Sequence, residues 1–66
     1  MDYLNYSSVG EWFKDASNAG YFVPVAMMRG ISDFMRENGI GFVEAFRLLE
    51  EGGRILLVGN VYVFGV

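Results

Sequence analysis

Arg54-Ile55-Leu56-Leu57-Val58-Gly59-Asn60-Val61-Tyr62-Val63-Phe64-Gly65-Val66 decides how the chain is read. Two β-rich runs, Ile55–Val58 and Val61–Phe64, flank the dipeptide Gly59-Asn60. A two-residue loop of this kind predicts a hairpin with a type II′ or I′ turn. The turn fixes the register, with Val58 opposite Val61, Leu57 opposite Tyr62, Leu56 opposite Val63 and Ile55 opposite Phe64. Side chains alternate between faces along a strand. Leu56, Val58, Val61 and Val63 therefore share one face, and Ile55, Leu57, Tyr62 and Phe64 share the other. An antiparallel hairpin with one wet side alternates apolar and polar residues. Neither face is polar here. Helices can cover one face; the other needs cover from the N-terminal aromatics or from a second chain.

Upstream of the hairpin, apolar residues recur at helical spacing. Ser8-Val9-Gly10-Glu11 has the form of a capping box opening a helix over Ser8–Ala19, with Trp12, Phe13, Ala16 and Ala19 as its stripe and Gly20 as its stop. Pro24 at a first helical position opens a second helix that runs to Asn38. Its stripe is Met27, Met28, Ile31, Phe34 and Met35, and Asn38-Gly39 ends it. Two adjacent Met cannot both face inward, so one of Met27 and Met28 is expected near the surface. A third helix runs from Phe42 to Glu51, closed by Gly52-Gly53. On it Phe42, Val43, Ala45, Phe46, Leu48 and Leu49 fill more than half of the helical wheel. A core-facing stripe needs little more than 100°, so this helix is expected to carry more apolar surface than one neighbour covers.

The expected fold class is α+β: three short helices, then a C-terminal hairpin, in a single domain over residues 1–66. A chain of 66 residues lies near the lower limit of independent stability. It has no Cys and no His. That excludes disulfides, thiolate nucleophiles, Ser-His-Asp chemistry and the usual zinc and haem ligands. Oligomerisation or a bound partner remains as the means of adding stability.

The layout helix, short turn, helix, hairpin resembles the winged-helix arrangement in outline, over about half of the chain. Ile31–Glu50 has the plan of a helix-turn-helix, with Gly39 in the turn and Phe34, Ile40, Ala45 and Leu48 at its inward positions. The hairpin stands where a wing would. The resemblance implies a dimeric DNA-binding transcription regulator. The surface chemistry opposes it. A reading helix projects Arg, Lys, Asn or Gln into the major groove. The outward positions here are Gly41, Phe42, Val43, Glu44, Phe46 and Arg47, and the wing tip is Gly59-Asn60.

Five basic residues face eight acidic ones, for a net charge of −3, and the pI is about 4.6. Phosphate neutralisation drives non-specific duplex binding, so nucleic acid is not the expected partner, and a basic protein surface is. Gly39-Ile40-Gly41 and Gly52-Gly53 lack the spacing and the Lys-Ser/Thr of phosphate loops, and read as helix caps. Asp33 and Glu37 read as a solvated helix face, and Glu50 and Glu51 as a helix end. Ser7, Ser8, Ser17 and Ser32 have no histidine to activate them. No enzyme activity, cofactor or metal is expected. The start MDYLNYSSVGEW lacks the basic and apolar regions of a signal peptide. The near-apolar run Ile55–Val66 is too short for a spanning helix, which needs about 20 residues. A cytoplasmic location without membrane contact is expected.

Six Phe, four Tyr, one Trp and four Met stand against a single Lys, Lys14. Interfaces are enriched in aromatics and Met and depleted in Lys. The expectation is a small acidic protein–protein interaction module that binds and masks a larger protein, as an inhibitor or adaptor, and that self-associates through the hairpin or the third helix. Small phage and mobile-element proteins share this make-up. The expected contact residues are Phe42, Val43, Phe46, Leu57, Tyr62 and Phe64, with Glu44, Glu50 and Glu51 as a charged rim.

Overall fold

The computed structural model describes residues 3–65; Val66 of the stretch quoted above lies outside them. A short 3-10 helix (Tyr3–Asn5) precedes three α-helices, α1 (Val9–Asn18), α2 (Val25–Asn38) and α3 (Phe42–Glu51), and two strands, β1 (Ile55–Val58) and β2 (Val61–Phe64). This is the α+β order that the sequence predicts.

Local chemistry explains the boundaries. Ser8 sits at the N-cap of α1 in extended conformation, and its Oγ accepts the Glu11 amide proton at 3.2 Å. One orphan amide of the first turn is thereby satisfied. Gly20 leaves the helix with a φ of 94°. Pro24 proves to be the cap of α2 rather than its first helical residue, because its ψ of 145° is extended. Gly39 ends α2 in the left-handed conformation, and its N–H donates to the Met35 carbonyl. The Asn38 side chain returns to the Phe34 carbonyl at 2.9 Å.

The core forms around Trp12, which is fully buried. Rings of Phe46, Tyr62 and Phe42 stand 5.2, 5.3 and 5.8 Å from its own. Met27 and Ile31 of α2, Leu49 of α3 and Ile55 of β1 complete this core. Met28, the other member of the Met pair, is half-buried. The broad apolar surface of α3 is shared among several neighbours: α2, β1 and the N-terminal 3-10 helix all pack on it. Tyr3 stacks on Phe46 at 4.3 Å. The N-terminal aromatics thus cover α3 and not the second face of the hairpin.

The hairpin adopts the predicted register in all four pairs. Gly59 has a φ of 63° and Asn60 does not enter the positive region, which selects the type II′ turn. One feature escaped the sequence reading. Phe22, between α1 and α2, donates its N–H to the Asn60 carbonyl (2.8 Å) and accepts the Tyr62 N–H (2.9 Å), forming a one-residue parallel bridge to β2. The Asn60 side chain reinforces it by donating to the Gly20 carbonyl at 3.1 Å. β2 is therefore flanked on both sides, and β1 on one.

Candidate protein interface

The helices cover one face of the hairpin. Ile55 and Tyr62 are buried there and Phe64 is half-buried, packed against the core. A Cβ placed on Gly30 of α2 would overlap the Phe64 ring. Only glycine lets the end of β2 approach the helix so closely. Burial raises the Tyr62 phenol above its ordinary value of 10.0, and the charges of Tyr21 and Glu50 add to the effect.

The opposite face is open. Leu56, Val58, Val61 and Val63 expose between 40% and 65% of their surface. Phe22, bridged to β2, is 61% exposed, and Val25 three residues on is also exposed. Leu57 belongs to the covered face but remains 44% exposed, beyond the reach of the helical layer. The stretch Ile55–Val66 contains no charged side chain, so this outer face is neutral as well as apolar.

This redraws the expected contact surface. Phe42, Phe46 and Tyr62 are sealed in the core and no partner can reach them. Phe42 and Phe46 lie one turn apart on the stripe of α3 that also carries Ala45 and Leu49, and this stripe meets Trp12. Val43 and Phe64 are half-buried against the same core. Of the six apolar residues expected at the contact, Leu57 alone is largely exposed. Glu44 is half-buried, and Glu50 and Glu51 are exposed on α3. They lie on the helical side of the sheet and do not ring the outer face. The aromatics concentrated on one hairpin face were the signal for its direction. Large rings bury the most area and belong against Trp12, which leaves the smaller Leu and Val side chains outside.

The helix-turn-helix positions shift likewise. Ala45 is buried and Phe34 and Ile40 are half-buried, but Leu48 is exposed and Leu49 takes the inward place. The outward surface expected of a reading helix loses Phe42 and Phe46 to the core. The cations do not converge on it. Arg36 pairs with Asp33, and Arg47 pairs with Glu51 at 3.6 Å. Arg54 lies over the Phe64 ring at 5.3 Å and donates to the Gly65 carbonyl.

The surface of the described residues includes two grooves. One of about 440 Å3 lies between α2 and the open end of the hairpin, with Phe34 and Phe64 beside Arg29, Asp33, Glu37 and Arg54. Its charges are of both signs. The other, of about 530 Å3, lies between the start of α1 and the Ser32–Arg36 side of α2. Among the described residues no three acidic side chains stand close enough to hold a metal ion, and no helix is long and apolar enough to cross a membrane. Comparison with protein-family models, curated proteins and solved structures gave no match for this chain.

Proposed function

We propose that this chain is a small acidic interaction module that docks on a larger protein through the outer face of its hairpin and acts by masking what it covers. The open, uncharged face of Leu56, Val58, Val61 and Val63 beside Phe22 carries this reading. Contiguous exposed apolar patches mark interaction sites in soluble proteins. Each of these side chains is about half exposed, and covering it contributes roughly 1 kcal/mol, half the value of a full Leu or Val burial. Cofactor chemistry and catalysis have no part in such a mechanism. The acidic groups, Glu50 and Glu51 among them, steer the approach to a partner with a basic surface at longer range, and the apolar face makes the contact. The proposed setting is the cytoplasm.

DNA binding is the less favoured reading, because Arg36 and Arg47 pair with Asp33 and Glu51, and Arg29 and Arg54 share their groove with Asp33 and Glu37. A salt titration separates the two: steep loss of duplex affinity with salt supports DNA binding, and no binding at low salt removes it. The docking reading is tested with Val58→Thr/Val61→Thr/Val63→Thr. This variant keeps β-branched residues but makes the face polar. It is expected to melt like the parent and to lose a protein that the parent retains from lysate. Retention of the same protein by both would overturn the reading.

A further inference from the structure

The groove at the open end of the hairpin carries its charges in a definite order. α2 forms one wall, through Arg29, Phe34 and Glu37 among others, and Arg54 with Phe64 forms the other. The Phe64 ring lies where a Cβ on Gly30 would stand, so it sits next to Arg29 along α2. The Arg54 guanidinium lies over the same ring at 5.3 Å. Two cations therefore flank the Phe64 ring. Glu37 follows Arg29 by eight residues, about 12 Å along the axis of α2. Between the two ends lie the half-buried rings of Phe34 and Phe64. Among the described residues the ion pairs are Arg36–Asp33 and Arg47–Glu51. Arg29, Arg54 and Glu37 thus line one groove with no ion-pair partner of their own.

We infer that this groove binds an extended peptide segment of a partner protein, whose groove-facing side chains run acid, large apolar, base at alternate positions. The carboxylate lies between Arg29 and Arg54, where guanidinium groups can hold it bidentately. The apolar side chain rests on Phe34 and Phe64, and the base meets Glu37. Charge selects this occupant over simpler ones. A purely acidic segment would meet Glu37, and a purely basic one would meet both arginines. Size selects an extended chain over a helix. A helical segment 12 Å long and 10 Å across fills about 900 Å3, twice the groove volume of about 440 Å3. In an extended chain, side chains i, i+2 and i+4 share one side and span about 13 Å, which matches the distance from Arg29 to Glu37. Phe64 belongs to the covered face of the hairpin, so the groove lies off the outer face and stays open when that face is occupied. The inference does not rest on docking through the sheet.

NMR titration of the 15N-labelled chain at low salt tests this with three probes. One is acetyl-Glu-Ala-Phe-Ala-Lys-amide; the others carry Glu at both ends or Lys at both ends. A reversed sequence is no control, because an extended peptide can lie in either direction. The mixed peptide is expected to give saturable shifts at Arg29, Phe34, Glu37 and Phe64 by about 10 mM, an affinity of roughly 1 mM. Each like-ended peptide replaces one attraction by a repulsion and should bind at least about threefold more weakly. Glu37 is exposed, so Glu37→Arg is expected to melt like the parent and to transfer the preference to the Glu-ended peptide. If that variant unfolds, Glu37→Gln replaces it and should bring the mixed and Glu-ended peptides closer in affinity. The triple threonine variant leaves the groove intact and is expected to bind the mixed peptide as the parent does. Absence of saturable shifts, equal affinity for the three peptides, shifts confined to the outer face of the hairpin, or a preference unmoved in the folded Glu37 variant would each overturn the inference.

Discussion

Gly30 decides how the end of the hairpin meets α2. Alanine is ordinarily favoured over glycine inside a helix by about 1 kcal/mol. At Gly30 the added methyl would displace the Phe64 ring, and overpacking of this kind costs about 1–3 kcal/mol. Gly30→Ala is expected to lower the melting temperature. In a Phe64→Ala background the same change should raise it, and this reversal of sign in a double-mutant cycle reports the contact. Gly10→Ala meets open space and is expected to stabilise by up to about 1 kcal/mol. Trp12 and Phe46 bear the other extreme. Phe46→Asp buries an unpaired charge beside the Trp12 ring. Circular dichroism should show it unfolded, since a domain of this size holds only about 3–10 kcal/mol in total. Tyr62 supplies a pH dependence. Its folded-state pKa is raised above 10.0 by burial, so the folded chain holds the phenolic proton more tightly than the unfolded one. Stability from this source is complete below pH 10 and falls as pH rises beyond it. Melts across the alkaline range should show this fall, and Tyr62→Phe should remove most of it. The aromatic residues were visible in the sequence as a group, but their burial was not: composition reports that eleven rings exist, not which of them find one another. Trp12 selects Phe42, Phe46 and Tyr62 from three separate elements, and only the closed fold brings those together.

At the scale of the element, boundaries and register were legible because each rests on local chemistry. Ser8 caps α1, Gly39 stops α2, and Gly59-Asn60 sets the pairing of β1 with β2. Ser8→Ala is expected to cost about 1 kcal/mol, measured by denaturant titration. The direction in which an element faces is a tertiary matter and was less legible. The wheel of α3 is apolar over more than half its circumference, and sequence alone did not say that α2, β1 and the 3-10 helix share it. The two hairpin faces posed the same choice, and the large rings of Tyr62 and Phe64 went inward. The bridge of Phe22 to Val61 was invisible for a further reason. A single residue between Gly20 and Pro24 has no periodicity to detect, and its partner lies far along the chain.

For the whole molecule, the excess of apolar side chains has a definite place. The core takes up most of α3 and of the inner face of the hairpin, and the largest exposed group, Leu56, Val58, Val61 and Val63 with Phe22, lies on the outer face, while Leu4, Leu48 and Leu57 are exposed elsewhere. The charges lie elsewhere, several cancelled in exposed pairs such as Arg36–Asp33 and Arg47–Glu51, each worth at most about 1 kcal/mol. A surface divided in this way suits contact through one face and solubility through the others. Carbene footprinting of the chain, free at high dilution and then bound to the protein it captures, tests this division most directly. Labelling should fall at Leu56, Val58, Val61, Val63 and Phe22 on binding, with α1 and the outward side of α2 unchanged. Unchanged labelling of the hairpin, with protection confined to the helices, would contradict docking through the sheet.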